Sequence, residues 1–309
     1  MNESNVILRA YFFVVLSMFL SSLGPSVFML LLKDTDMNRE FGIMLFLLFG
    51  GLAYAIVYLF GSESGEKKQQ ICWNTKVLIK LLFSGVLAAV QYFTFTISMQ
   101  LGSVTETTMF VRLSPLFNVI LSSFFLDEKI ISKNKLFLAT VLCLGGAFLM
   151  QGICLDSLKR INILFILFGV MCALTMATNN VFNGSMSKYD KLPHSLIVAV
   201  EMIIGALLMI PFIRIESLNL PSLEQFGILV FLGVFTIAVP NFIKLFAYHA
   251  TGSMGKIAFF SYLLPVFGSV AAYFINKERG FDYMTLGFSF IIISAGIYFA
   301  NESIDKKNQ

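Results

Sequence analysis

The chain has 309 residues, of which 57% are hydrophobic and 13% are charged, with a net charge of +4 and a mean hydropathy of +0.82. Because a soluble domain carries about a quarter charged residues, this composition excludes a water-soluble globule and predicts a polytopic membrane protein. The small positive charge suits loops beside anionic lipid, and it excludes the dense basic face that a nucleic-acid surface needs.

Cysteine and histidine are too scarce and too scattered to predict a metal site or a cofactor. The four cysteines, none of which forms a C-x-x-C pair, are Cys72, Cys143, Cys154 and Cys172. His249 is interpreted as an interfacial loop residue rather than a proton relay. The start, MNESNVILRA, has no basic n-region, and the apolar run after it is too long for a signal-peptide core. The first apolar segment is therefore predicted to remain as a membrane span.

Ten apolar segments are predicted to be membrane-spanning helices, because they are long and continuous rather than alternating. Their approximate bounds are 10–32, 41–60, 77–101, 104–126, 135–153, 161–186, 194–213, 225–249, 254–275 and 282–300. The links on the side of the two termini carry more Lys and Arg than the opposite links. The positive-inside rule therefore predicts a multi-pass protein of the cytoplasmic (inner) membrane with both termini in the cytoplasm.

An internal duplication organises the chain. The stretch 102–128, GSVTETTMFVRLSPLFNVILSSFFLDE, returns in outline at 252–278 as GSMGKIAFFSYLLPVFGSVAAYFINKE. Aligned without a gap, the two share Gly-Ser, Phe, Leu, Pro, Phe, Phe and the terminal Glu. We therefore predict two five-helix repeats, 1–155 and 156–309. An odd number of helices inverts the second repeat relative to the first, as in secondary transporters that bind substrate near the midplane.

The two proline-centred helices, LSPLFNVILSSFFLDEK at 113–129 and LLPVFGSVAAYFINKER at 263–279, resemble the drug/metabolite transporter superfamily, specifically its ten-helix EamA-type members. The resemblance covers nearly the whole chain. It implies an all-α membrane fold, transport of a small organic metabolite by alternating access, and a central cavity lined by spans one, three, four, six, eight and nine. Where this chain has Arg112, an apolar or small residue is commoner in the family.

Two charged residues are the main candidates for the substrate site, because a charge at the bilayer centre costs about 2.5–3.5 kcal/mol on insertion scales. Arg112 is predicted to lie well inside span four, where a guanidinium would bind a carboxylate or phosphate. The alternative is a structural ion pair with Glu201 or Glu106. Glu201, near the middle of span seven, would carry a proton during transport, or would be a fixed partner of Arg112 or Lys244.

Further polar residues on the centrally placed spans complete the predicted substrate site. They are Lys244, Asn179, Asn180, Gln91, Asn241 and Tyr262. Lys244 would otherwise snorkel to the membrane surface, and the amides would otherwise join neighbouring helices. Asn179-Asn180, with Thr175 and Asn183, is predicted to interrupt span six. Tyr262 aligns with Arg112 in the repeat, so we expect it across the cavity from the arginine.

Prolines predict breaks in four spans. Because proline has no N–H, Pro115 leaves the carbonyl of Val111 without its helical donor, and Pro265 does the same to Ser261. These carbonyls adjoin Arg112 and Tyr262, so acceptors and hinges would lie at the same place. The complete set of predicted hinges is Pro25, Pro115, Pro240 and Pro265.

The sequence therefore predicts a secondary transporter for a small zwitterionic or anionic metabolite, such as an amino acid. There is no Walker A sequence, so ATP does not drive it directly. Proton coupling and a homodimer are compatible with this class. One alternative is a membrane-embedded enzyme acting on lipid-linked substrates, which would need an acid pair, a His-Asp motif or a metal set. The other is a sensor that kept the fold, which would need a soluble effector domain or a long tail.

Overall fold

The computed structural model describes residues 3–33, 38–60, 74–101, 107, 110–151, 163–213, 219–276 and 283–306. Nearly all of these residues are helical. The predicted repeat boundary at 155–156 lies outside the described residues, as does Glu106, the alternative partner of Arg112.

The first half of the chain forms five helices and a short strand. They are α1 (Glu3–Lys33), α2 (Arg39–Phe60), α3 (Thr75–Leu101), α4 (Ser114–Phe125), β1 (Glu128–Ile130) and α5 (Lys133–Gln151). Asparagines start two of the helices, because a side-chain oxygen can accept an unpaired N–H of the first turn. The Oδ1 of Asn38 accepts from the N–H of Phe41 at 3.1 Å, and that of Asn74 accepts from the N–H of Val77 at 2.9 Å.

The second half also spans the bundle five times, but spans eight and nine change their helical type on the way. The elements are α6 (Ile163–Tyr189), α7 (His194–Met209), α8 (Leu223–Phe231), a π-helical segment (Leu232–Ala238), α9 (Val239–Thr251), α10 (Met254–Phe259), a 3-10 turn (Phe260–Leu263), α11 (Leu264–Asn276), α12 (Tyr283–Ser303) and β2 (Ile304–Lys306). Each change of type comes just before a proline, Pro240 or Pro265.

The described helices match a polytopic membrane protein. Eight of the helical stretches within the described residues are long and apolar enough to cross a bilayer. The described part of span four, α4, is a shorter apolar helix, and α5 has 19 residues. The prediction of an all-α protein built from about ten membrane helices is therefore confirmed, and the chain is a multi-pass membrane protein.

The packing of the helices shows the two repeats directly. Corresponding helices pack on each other: α2 on α7, α4 on α10, and α5 on α12. The other large contacts also come in pairs that correspond when the repeats are exchanged. The contact of α3 with α6 corresponds to that of α1 with α9, and the contact of α4 with α6 corresponds to that of α1 with α11. Exchanging the halves of the chain therefore leaves the contact pattern unchanged. With five spans in each half, this symmetry confirms the predicted inverted repeats.

Two glycines allow the backbones of α2 and the π-helical segment to approach closely. Gly233, in the π-helical segment, lies so near α2 that an added Cβ would overlap the carbonyl oxygen of Phe46. An added Cβ on Gly50 would lie 2.6 Å from the carbonyl oxygen of Gly233. Small residues permit this contact, as they do between membrane helices generally. The π-helical segment is thereby held against α2 from the other repeat.

The carboxylate of Glu128 joins the two repeats at one end of the bundle. It accepts hydrogen bonds from the backbone N–H groups of Met254 (2.5 Å) and Gly255 (3.1 Å), and from the hydroxyls of Ser253 (2.9 Å) and Ser122 (3.1 Å). Burial raises the pKa of Glu128, and the four hydrogen bonds to its charged form oppose that rise. The start of α10 is therefore fixed to the end of α4.

Candidate functional site

Arg112 lies at the break between two helical pieces of span four. Residues 110 and 111 are helical, Arg112 and Leu113 form a turn, and α4 starts at Ser114 with Pro115 in its first turn. Arg112 therefore lies inside span four, at the helix break that was predicted beside Pro115. Pro115 cannot donate a backbone hydrogen bond, so the helix is interrupted on its N-terminal side. The arginine is only 7% exposed.

The guanidinium of Arg112 reaches the other repeat. Its Nη1 donates to the carbonyl oxygen of Ser261 at 3.2 Å, whereas its Nε has no hydrogen-bond partner among the described residues. In a regular helix the carbonyl of Ser261 would accept a hydrogen bond from residue 265, but Pro265 has no N–H to donate. Because residues 260–263 form a 3-10 turn, this carbonyl also accepts from the N–H of Leu264. The predicted free carbonyl thus takes two donors, one from its own turn and one from Arg112.

Tyr262 completes the cluster around Arg112. Tyr262 is 0% exposed, and no described residue forms a hydrogen bond with its hydroxyl. The arginine and the tyrosine are near enough to interact electrostatically. An unpaired buried polar group costs about 1–3 kcal/mol. The arginine Nε and the tyrosine hydroxyl are therefore two buried donors for which the described residues supply no acceptor.

Glu201 sits in a separate network of amides. The carboxylate, on α7, is 4% exposed. One of its oxygens accepts from Nδ2 of Asn179 at 2.7 Å, and the other accepts from Nδ2 of Asn183 at 2.6 Å. The hydroxyl of Ser84, on α3, approaches the Oδ1 atoms of both asparagines, at 2.9 and 2.8 Å. Since a serine hydroxyl has one proton, it can donate to only one of the two amides at a time.

Glu201 forms no ion pair with the described residues Arg112 and Lys244. Neither Arg112 nor Lys244 lies within 4.0 Å of the carboxylate, although the ammonium of Lys244 interacts with it electrostatically. The alternative interpretation, in which Arg112 or Lys244 pairs directly with Glu201, is therefore wrong. Amides satisfy the carboxylate because they bring hydrogen-bond donors without a second desolvated charge.

The remaining predicted amides lie outside both clusters of hydrogen bonds. Asn179 and Asn183 share one face of α6 at i, i+4 spacing, so Asn180 points to another face and does not reach Glu201. The helix α6 runs unbroken from Ile163 to Tyr189, so the prediction that the asparagines interrupt it is wrong. Gln91 on α3 and Asn241 on α9 are both half-buried. Asn183 belongs to the polar group predicted on span six but not to the predicted substrate site, although its spacing of one turn from Asn179 places it on the same face.

The prolines do not all behave alike. Pro25 lies inside α1, which continues through it as a helix, so the predicted break in span one is wrong. Pro240 is in the first turn of α9, directly after the π-helical segment. Pro115 and Pro265 are each the second residue of a helix that follows a turn.

Both histidines lie in helices and meet at one serine, which the sequence did not indicate. His249 is in the last turn of α9, so its interpretation as a loop residue is wrong. The Nε2 atoms of His194 and His249 each form a hydrogen bond with the hydroxyl of Ser187. Among the described residues, no group of three or more His, Cys, Asp and Glu side chains is arranged to hold a metal ion.

Comparisons with known proteins agree with this architecture. A protein crystal structure superposes with a TM-score of 0.71 at 15% sequence identity, covering 97% of this chain and 98% of the solved one. At this identity the likeness shows the fold alone. No curated protein matches the chain. The sequence model of the EamA-like transporter family matches residues 8–151 and 163–300, one stretch in each repeat. The chain therefore belongs to the EamA-like transporter family.

Proposed function

We propose that the protein carries a small organic metabolite with a carboxylate group, such as an amino acid, across the cytoplasmic membrane by alternating access. The observation that supports this most directly is the pair of buried donors, Arg112 Nε and Tyr262 Oη, for which the part of the chain that the structure describes offers no acceptor. They lie where the interrupted helices of the two repeats meet. A carboxylate has two oxygens and would satisfy both donors.

The same two residues suggest how a substrate would change the conformation. Arg112 belongs to the first repeat, and Tyr262 to the second, so a carboxylate bound between them would join the repeats. Pro115 and Pro265 place a helix break beside each residue, and these breaks can act as hinges. A substrate that binds one arrangement of the repeats better than another would shift the population toward it.

Glu201 supplies the opposite charge for a zwitterionic substrate or for a coupled proton. Both of its oxygens accept amide donors from Asn179 and Asn183. A substrate ammonium would replace one of those donors, whereas a proton would bind one oxygen and leave the other as an acceptor. Glu201 would then alternate between a charged and a neutral form during transport, with Lys244 nearby on α9.

The orientation follows the charge of the links, which places both termini in the cytoplasm. The end of the bundle that holds Glu128 and β2 would then face the cytoplasm. A homodimer in the membrane would leave the site unchanged, since Arg112, Tyr262 and Glu201 all come from one chain.

Transport by purified protein in proteoliposomes tests the proposal. A panel of radiolabelled amino acids and monocarboxylates is offered to the wild type, and uptake of at least one member is expected. Arg112→Gln should lower that uptake by roughly 10-fold or more, because a hydrogen bond to a charged group contributes about 1.5–3 kcal/mol. Lys135→Gln is the matched control, since it removes a charge that is ion-paired with Glu302 at the protein surface.

The outcomes are distinct. If no member of the panel crosses the membrane with folded wild-type protein, the proposed substrate class is wrong. If Arg112→Gln transports at the wild-type rate, the arginine has no role in binding. Ligand binding can be measured separately by thermal shift, since a ligand at 100 times its Kd stabilises the folded state by about 2.7 kcal/mol.

A further inference from the structure

The only two histidines of the chain converge on one hydroxyl group. His194 is the first residue of α7, and His249 lies in the last turn of α9. Their ring centroids are 4.5 Å apart. The Oγ of Ser187, on α6, is 2.9 Å from Nε2 of His194 and 2.6 Å from Nε2 of His249. Three helices therefore contribute to one hydrogen-bonded unit.

The chemistry of this unit permits proton transfer. A serine hydroxyl has one proton, so it can donate to one ring and must accept an N–H from the other. If His249 carries an extra proton, its Nε2–H can pass to Oγ while the hydroxyl proton passes to Nε2 of His194. His249 is then neutral, His194 is a cation, and Ser187 again has one proton. The transfer needs no other reactant.

The unit is aligned with Glu201 along two helices. On α6, Ser187 follows Asn179 and Asn183 at four-residue intervals, so the three share one face. On α7, His194 precedes Glu201 by two turns, which places them about 10 Å apart along the helix axis. Asn183 already donates to Glu201 at 2.6 Å. A polar column therefore leads from the end of the bundle to the buried carboxylate.

Other ionisable groups surround the histidines. Asp190 follows Ser187 by three residues and forms an ion pair with Lys80 of α3. The distance between Lys80 Nζ and Asp190 Oδ2 is 2.5 Å. On α9, the ring of Tyr248 is 6.2 Å from that of His249, and Lys244 lies further along the helix toward Glu201. On the side of α2, Tyr54 contacts Phe242, whose ring contacts His194. The opposite charges of Lys80 and Asp190 cancel each other. The charge of the histidine unit therefore depends only on how many protons its two rings carry.

We propose that His194, Ser187 and His249 form a relay that passes protons between the end of the bundle and Glu201. This inference rests on the proposed function, in which Glu201 carries the coupled proton. His249 belongs to α9, which packs against α1 of the other repeat, whereas Ser187 and His194 belong to α6 and α7. A shift of α9 during alternating access would separate His249 from Ser187 and interrupt the relay.

The relay itself can be tested without a substrate. The full-length protein is purified with 15N-labelled histidine, and its two imidazoles are followed by NMR between pH 3 and 9. In the wild type, the 15N signals of both rings should report a change of protonation over one shared pH range. In Ser187→Ala, the two rings should change their protonation independently. Ser195→Ala is the control, because Ser195 follows His194 in the sequence and its buried hydroxyl has no hydrogen-bond partner within the described residues. Rings that titrate identically in wild type and Ser187→Ala overturn the relay.

Its role in transport is tested by comparing two fluxes of the panel member that the wild type carries. His249→Gln and His194→Gln should each reduce net flux driven by a pH difference by roughly 10-fold or more, because proton transfer by positioned groups contributes about 10²–10⁴-fold. Exchange of labelled for unlabelled substrate, which needs no proton release, should stay near the wild-type rate. Glu201→Gln should also lose net flux, and adding His249→Gln to it should cause no further loss of net flux.

An equal loss of both fluxes would assign the histidines a structural role, and wild-type net flux in both variants would also overturn the proposal. If the wild type carries no member of the panel, the proposed function fails. The NMR experiment then still decides whether the two rings share a proton through Ser187.

Discussion

Arg112 of the first repeat donates a hydrogen bond of 3.2 Å to the carbonyl oxygen of Ser261 in the second repeat. The bond connects the turn before α4 to the 3-10 turn before α11. Each turn exists because a proline at the second position of the next helix provides no N–H. A relative movement of the two interrupted helices must therefore break this bond or carry both turns together.

The hydroxyl of Tyr262 provides a direct test of the proposed carboxylate site. It is buried without a partner, and such a group costs about 1–3 kcal/mol. Tyr262→Phe removes it and should leave the melting temperature of the substrate-free protein unchanged or raise it. The same variant should raise the KM for a carboxylate substrate by roughly 5-fold or more, because a donor to the carboxylate is lost.

Ser289→Ala is the control for Tyr262→Phe. Ser289, on α12, also has a buried hydroxyl without a hydrogen-bond partner. Its removal should affect stability in the same direction but leave the KM unchanged. A large fall in melting temperature for Tyr262→Phe would show that its hydroxyl does have a protein partner, and would contradict the proposed site.

Two neighbouring asparagines should differ sharply. Asn183→Ala removes the donor to one oxygen of Glu201 and one acceptor of Ser84, so the melting temperature should fall, by an equivalent of about 1–3 kcal/mol in unfolding free energy. Asn180→Ala should change it little, because Asn180 takes no part in that network. Thermal denaturation of both purified variants in detergent provides the comparison. Equal effects would mean that the network does not stabilise the bundle.

The sequence was sufficient for the helices and their symmetry, since hydropathy and the duplication depend only on local composition and spacing. It also identified Arg112, because a charge in an apolar span is costly wherever it lies. It could not predict the partner of Glu201. Ser84 is one of many serines in the spans, and its proximity to Asn179 and Asn183 comes from the packing of α3 on α6.

The same limit explains the misplaced helix breaks and the missed histidines. Pro25 lacks one helical hydrogen bond, yet α1 continues, and it contacts other helices on both sides of the proline, through Phe19 with Phe267 and Phe28 with Phe46. The π-helical segment before Pro240 contacts α2 closely at Gly233, and α2 is far away in sequence. His194 and His249 meet only when α7 and α9 pack against α6.

Glu128 should give the protein a measurable dependence of stability on pH. Burial raises the pKa of this carboxyl in the folded state above its unfolded value of about 4.3. Its contribution to stability is therefore complete below that pH and is lost as the pH rises through the folded-state pKa. The melting temperatures of wild type and Glu128→Gln are measured across this range. As the pH rises, the melting temperature of the wild type should fall relative to that of Glu128→Gln.

Asp127→Asn is the control for Glu128→Gln. Asp127 is adjacent but exposed, and its φ of 57° is a conformation that asparagine adopts readily. Its pH profile should follow that of the wild type. A constant difference between wild type and Glu128→Gln over the same range would contradict the assignment of this pH dependence to Glu128.

Two glycines of span eight should respond oppositely to alanine. A Cβ at Gly233 would overlap the carbonyl oxygen of Phe46, and because that atom is backbone, the π-helical segment and α2 must separate. Gly233→Ala should therefore lower the free energy of unfolding by at least about 1–3 kcal/mol. Gly227→Ala, in α8, places its methyl group where no atom lies within 4 Å, and it should be neutral or stabilising by up to about 1 kcal/mol. Thermal denaturation of the two purified variants measures both effects. A Gly233→Ala protein as stable as the wild type would mean that the close contact of the π-helical segment with α2 does not hold the repeats together.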